Sequence, residues 1–287
     1  VSDQRRPAPS SAPTGRPPRK PRWAIEKDRA RKAGPETVWL FGLHAVRDAL
    51  LNPARVKRRL IVTRNAADRL GPEALAAAGL EPEIADPRRF PAPLDPQSVH
   101  QGAALEVEPL DWGDLETRCA PAPGRPAPVA VLLDRVSDPH NVGAILRSAE
   151  VFGACAVIAP ARHSAPETGA LAKSASGALE RQPYLRVRNL ADAMERLRAM
   201  GYRIVGLDGA ADRTLAQALA GPLREGAPLA LALGAEGPGL RARTRELCDA
   251  LARIPAAGEF GSLNVSNAAA VALYAARAAD VSERNNS

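Results

Sequence analysis

The chain has 287 residues, 45% of them hydrophobic, and a formal net charge of +7. That length suits about two globular domains, and no uninterrupted apolar run reaches the ~18 residues a membrane helix needs. Cys119, Cys155 and Cys248 lack CxxC spacing and the four histidines lack metal-ligand spacing, so neither a disulfide framework nor a metal site is expected.

The charge is concentrated at one end. Residues 1–36 hold ten Lys/Arg against four Asp/Glu, a net +6, which leaves +1 for the other 251. They also hold seven prolines and almost no aliphatic residues. Such a stretch cannot bury enough surface to offset its ordering entropy and reads as a disordered tail. A basic arm of this kind attracts polyanions by counterion release, and it serves equally as a solubilising segment. It contains no apolar secretory segment, so the expected location is the cytoplasm.

From Thr37 the pattern becomes globular. TVWLFG reads as a strand, Leu43–Leu51 as an amphipathic helix, Val56–Val62 as a strand and Pro72–Ala78 as a second helix. Asp86-Pro87 has the form of a helix start, and Ala103–Val107 is a last strand. Residues 37–108 thus make a small α/β unit. Its one basic cluster is Arg55, Lys57, Arg58, Arg59 and Arg64, placed to serve as a phosphate-contacting edge or as a solvated strand end. Residues 109–127, rich in proline and polar side chains, read as a linker.

Residues 128–287 follow a βα rhythm without internal repeats. The expected strands are Val129–Asp134, Ala154–Ile158, Tyr184–Val187, Arg203–Leu207, Leu229–Leu233 and Ala252–Ile254. Between and after them, helices are expected at Asn141–Gly153, Thr168–Gly177, Leu190–Met200, Thr214–Ala220 and Asn264–Ala279. Continuous apolar strands such as VAVLLD belong in a parallel sheet covered on both faces. Ligands of such sheets bind beyond the C-terminal strand ends.

Three loops at that edge stand out. In Asp134–Arg147 (DRVSDPHNVGAILR), Asn141 can cap the following helix and Gly143 permits close approach to its first turn. Arg147 lies six residues on, roughly 120° around the helix from Asn141 at 100° per residue. Gly234–Leu240 (GAEGPGL) puts Glu236 among three glycines, a turn suited to backbone approach by a flat ligand. In Ile254–Asn267, Gly258 and Gly261 precede Ser262, Asn264, Ser266 and Asn267 at the start of a small-residue helix. Four polar side chains in six residues exceed what capping requires.

Taken together, DPHNVGAILRSAEVFGA, LALGAEGPGL and IPAAGEFGSLNVSNAAA resemble the three signature motifs of the SpoU branch of the trefoil-knot (SPOUT) RNA methyltransferases, in the family's order. FGLHAVRDAL and VHQGAAL are similar to the substrate-binding domain of bacterial 23S rRNA guanosine 2′-O-methyltransferases, an L30-like RNA-binding fold. The resemblance implies a knotted parallel-sheet catalytic domain preceded by a small α/β RNA-binding domain. It implies S-adenosylmethionine as cofactor, RNA (rRNA) as partner and a homodimer whose pocket is completed across the interface. Arg147, Asn141, Glu236, Ser262 and Asn264 match the family's catalytic and substrate-positioning residues. Gly234, Ile254 and Leu263 match its adenosine contacts, mainly through backbone, with Gly239 and Leu240 beside them. The family often has Met after Ile-Pro; here that residue is Ala256.

The implied reaction is methylation of a ribose 2′-OH. Since arginine stays protonated, Arg147 suits phosphate binding and electrostatic activation of the hydroxyl better than proton removal. The alternatives are a tRNA ribose methyltransferase, against which the HQG-containing unit argues, and a non-catalytic RNA-binding knot protein. A dinucleotide-dependent oxidoreductase is disfavoured, because the first strand of the second domain lacks a glycine fingerprint.

Overall fold

A computed structural model of the chain describes residues 37–258 and 263–284; the basic segment 1–36 lies outside them. The first sheet has the order β1-β4-β2-β3, from β1 (Val38–Phe41), β2 (Lys57–Val62), β3 (Glu83–Ile84) and β4 (Ala103–Val107). β4 pairs antiparallel with both β1 and β2. Helix α1 (Leu43–Leu51) buries Leu43, Val46, Ala49 and Leu50, the stripe that its 3.6-residue period aligns.

The helical range α2 holds the expected helix from Pro72 and, before it, one the sequence did not foresee. It spans Arg64–Ala77, capped by Thr63, whose hydroxyl accepts from Ala66 N at 3.2 Å. Gly71 leaves the helical region (φ +81°, ψ 161°), so this range is two helices joined at a break, and the second opens at Pro72 as expected. Asp86-Pro87 starts no helix: Asp86 accepts from Arg88 N and Arg89 N in a turn that ends there. Pro91 and Pro93 deny that segment the amides a helix would need.

The basic cluster of the first unit is mostly neutralised. The fully buried Arg55 side chain donates to both carboxylate oxygens of Glu180 and to Glu167, both in the second half of the chain. Burial pushes the Glu167 carboxyl above the usual carboxylate range, against the pull of Arg55. Arg58 pairs with Glu108, Arg59 forks onto Glu83 at 2.6 and 2.8 Å, and Lys57 donates to Ala77 O. Spacing alone did not reveal these partners, because they are distant in sequence.

The segment read as a linker contains α3 (Leu115–Cys119), with Leu115 and Cys119 buried. Beyond it stands a six-stranded, all-parallel sheet of order β10-β8-β9-β5-β6-β7. Its strands are β5 (Val129–Asp134), β6 (Ala156–Pro160), β7 (Tyr184–Val187), β8 (Arg203–Leu207), β9 (Leu229–Gly234) and β10 (Ala250–Ala252). An unforeseen helix, α8 (Ala242–Leu247), precedes β10, which lies two residues before its expected place.

Alternation along the strands builds two cores. Val129, Val131, Leu133, Leu229, Leu231 and Leu233 face α4 (Pro139–Val151), α5 (Gly169–Ala175), α7 (Leu215–Arg224) and α9 (Val265–Arg284). Ala130, Leu132, Ala230 and Ala232 face α3, α6 (Leu190–Ala199) and α8. Each fully buried Leu contributes about 1.5–3 kcal/mol, so VAVLLD and LALALG anchor the sheet from its middle. Among the described residues no helix is long and apolar enough to cross a membrane.

Candidate active site

β5 and β9 lie side by side in register, with Asp134 opposite Gly234. Sequence order jumps between them, so their C-terminal ends form a crevice of the kind in which open parallel sheets bind ligands. β10 stands at the sheet edge, with β8 between it and β9. The chain leaving β10 must therefore cross the end of β8 to bring its loop back to this crevice.

The first wall is the start of α4. Asp138, rather than Asn141, is the cap: its carboxylate accepts from His140 N at 2.9 Å, and Pro139 opens the helix without an amide to satisfy. Asn141 sits in the first turn with its side chain released for other contacts. Gly143 permits the approach foreseen for it, and the visitor is α5. A Cβ on Gly143 would lie 2.5 Å from Ser174 Cβ and 2.8 Å from Ala175 N. Beside this contact Ser174 Oγ lies 2.9 Å from His140 Nδ1.

The second wall folds flat onto the end of β9. A Cβ on Gly234 would lie 2.1 Å from Gly239 C and 2.3 Å from Leu240 N, so only glycine fits. Gly239 N donates back to Ala235 O at 2.9 Å, and the Leu240 side chain is buried beneath the sheet. Asp134 fixes the exit of this loop. Its buried carboxylate accepts from Arg241 N (2.9 Å), Arg241 Nε (2.6 Å) and Thr244 Oγ1 (2.7 Å). Sequence reasoning missed Asp134; the available signal was a carboxylate ending an otherwise apolar strand, where burial demands partners.

The third wall brings Asn264. Its Oδ1 caps α9, accepting from Ser266 N (2.9 Å) and Ser266 Oγ (2.6 Å). Its Nδ2 donates to Glu236 Oε1 at 2.7 Å and to Asn141 Oδ1 at 2.9 Å. Asn141 Nδ2 in turn donates to Glu236 Oε1 at 3.2 Å. One residue from each loop thus joins a closed ring around a single carboxylate oxygen. The ring is open to solvent: Glu236 and Asn264 are exposed and Asn141 is half-buried.

The other expected residues divide. Ile254 is half-buried against the core, and Leu263 exposes 47% of its surface. Backbone groups from Ile254 to Gly258 take no part in the backbone hydrogen bonds of the described residues. Ser262, like Gly261, lies outside the described residues. Arg147 is exposed and does not join the ring; no described residue pairs with it. It shares the α4 ridge with His140, Gly143 and Val151, at spacings of three to four residues.

Comparison with known proteins gives this arrangement a lineage. The model of the SpoU rRNA Methylase family matches residues 128–274, which carry all three loops. A second model, RNA 2′-O ribose methyltransferase substrate binding, matches residues 39–112. The chain is 40% identical over 240 residues to the 23S rRNA (guanosine-2′-O-)-methyltransferase RlmB of Pseudomonas aeruginosa, covering 82% of this chain and 94% of that one. The chain belongs to the SpoU methylase family. It is 39–40% identical to further RlmB proteins, including that of Escherichia coli, matched over 83% of this chain and 96% of that one. Among solved structures, the SpoU methyltransferase AviRb from Streptomyces viridochromogenes in complex with the cofactor AdoMet superposes with a TM-score of 0.70 at 26% identity. That match covers 90% of this chain and 94% of the other. The SpoU fold is therefore shared across both sheets.

Proposed function

We propose that the chain transfers a methyl group from S-adenosylmethionine to the 2′-OH of a guanosine in 23S rRNA. The observation that carries this reading is the convergence of Asn141, Glu236 and Asn264 from three loops on one crevice, together with the RlmB likeness over both sheets.

The cofactor suits the crevice by its chemistry. An adenine needs a flat slot with backbone donors and acceptors. The loop collapsed on Gly234 and the uncommitted backbone of Ile254–Gly258 supply such groups, with exposed Leu263 as an apolar contact. Gly234, Ile254 and Leu263 would hold the adenosine, with Gly239 and Leu240 beside them. Ala256 in place of the family's frequent Met leaves backbone contacts untouched.

When bound, S-adenosylmethionine supplies an electrophilic methyl group on a sulfonium. The chain's task is to deliver a poor nucleophile in line with it. Arg147 binds the phosphate next to the target ribose and lowers the hydroxyl's pKa by its charge. A guanidinium accepts no proton, so the proton leaves to a phosphate oxygen or to water. Glu236 receives hydrogen bonds from the ribose or from the two amides that order the loops, and Ser262 completes the positioning set.

In this reading residues 37–108 bind RNA, 109–127 connect, 128–287 catalyse and the basic tail 1–36 adds phosphate contacts. The passage from β10 across β8 is the knotted segment. The protein works as a homodimer in the cytoplasm. Exposed Val151, Val271 and Tyr274 support pairing through α4 and α9. Arg147 shares a ridge with Val151, so such pairing puts it at the interface, where a second copy completes the site. Light scattering on the chain and on a Val151→Asp, Tyr274→Asp variant tests this: a dimer and a monomer are expected, and a monomeric native chain rejects it.

The test of activity is incubation with methyl-labelled S-adenosylmethionine and total RNA. Label in the large ribosomal RNA is expected. Label confined to tRNA reassigns the substrate, and none at all rejects the reading.

A further inference from the structure

Away from the crevice, three side chains meet where α3 packs on the second sheet. Cys119, the last residue of α3, is fully buried, and Cys155, just before β6, is partly exposed. Their sulfurs lie 3.8 Å apart. Tyr202, just before β8, donates its hydroxyl to Cys119 O at 2.7 Å and sits 3.5 Å from Cys155 Sγ. That bond ties the end of α3 to the sheet and keeps the two thiols facing.

We propose that Cys119 and Cys155 form a reversible oxidation site, converted by hydroperoxides into a disulfide between the connecting segment and the catalytic sheet.

The two thiols are unequal, which fixes their order of reaction. The hydrogen bond shared with Cys119 lowers the Cys155 thiol against its burial, and the same bond together with burial raises Cys119. Cys155 is also the less buried residue of the two. Its thiolate attacks one oxygen of the hydroperoxide; the O–O bond breaks, an alcohol or water leaves, and Cys155 becomes a sulfenic acid. With the thiolate gone, Cys119 loses the neighbour that disfavoured its own ionisation. Its sulfur then attacks Cys155 Sγ, the S–O bond breaks and hydroxide departs with the Cys119 proton as water. Two thiols lose two electrons in total, and the peroxide bond takes them up.

Closing from 3.8 Å to the disulfide length of about 2.05 Å is a small movement for residues on a five-residue helix and a loop. Cys248 offers a built-in control, since burial pushes its thiol up to about 12. The bridge would fix the segment that joins the RNA-binding unit to the catalytic one.

The test treats the reduced full-length chain with hydrogen peroxide at neutral pH, blocks remaining thiols and digests with trypsin without reduction. The expected product is peptide Cys119–Arg135 joined to peptide Ser148–Arg162, two hydrogens lighter than their sum and separated by dithiothreitol, with Cys248 still blocked as a thiol. A Cys119→Ser variant should stop at the sulfenic acid, giving a dimedone adduct on Cys155. Unlinked peptides in the native chain, or oxidation of Cys155 no faster than that of Cys248, would overturn the proposal.

Discussion

Asn264 donates its side-chain amide to Glu236 at 2.7 Å while its own carbonyl oxygen caps α9. The two residues come from loops after strands that are not neighbours in the sheet, so the contact reports that the third loop has returned to the crevice. A cap and a site residue are the same side chain here. Positioning is built into the helix start.

The ring should behave as a unit. Asn141→Ala or Asn264→Ala each removes hydrogen bonds to a charged acceptor, about 1.5–3 kcal/mol, which is roughly 10- to 100-fold in kcat/KM. The double variant is expected to be scarcely worse than either single one. Steady-state methylation rates check this, and full additivity would mean that the two amides act separately.

Arg147→Ala should lower methylation by at least about 100-fold, as loss of a preorganised charge does, while calorimetric S-adenosylmethionine affinity stays within about threefold of native. Arg147→Lys keeps the charge but loses the planar fork, so partial activity is expected. Turnover near the native rate in the alanine variant rules out the assigned role.

Gly234→Ala tests the flat loop. The added methyl would meet the backbone of Gly239 and Leu240, which have no slack to give. Destabilisation of about 1–3 kcal/mol is expected from overpacking, with S-adenosylmethionine binding lost even where the chain still folds. Denaturant melts and calorimetry separate the two effects.

Arg55→Met strands Glu180 and Glu167 without their cation, at a cost of about 3–5 kcal/mol. Converting both carboxylates to Gln in the same chain should recover part of that stability, because the charges left behind, not the missing contact, cause the loss. Urea unfolding of the three forms distinguishes these cases.

Much of this was legible in the sequence. VAVLLD and LALALG could only be central strands, and Asn141, Glu236 and Asn264 stood at the loops of one sheet edge. What stayed hidden depended on distant partners. Arg55 reads as one more surface cation until Glu180, 125 residues away, is folded onto it. Asp134 looked like a strand end until Arg241 and Thr244 reached it. The Gly71-Pro72 pair reads as a boundary and is one, since Gly71 leaves the helical region; the helix before it, from Arg64, was what stayed hidden. Helical geometry did foresee that Arg147 points away from Asn141, and Arg147 stands outside the ring.

The central claim is tested most directly by the nucleoside the chain makes. Ribosomal RNA methylated by the purified chain would be digested to nucleosides and resolved by mass spectrometry, with the site mapped by protection from alkaline cleavage. The expected result is 2′-O-methylguanosine at one position of 23S rRNA, absent with Arg147→Ala. A methyl group found on a base, or a product unchanged by loss of Arg147, would contradict it.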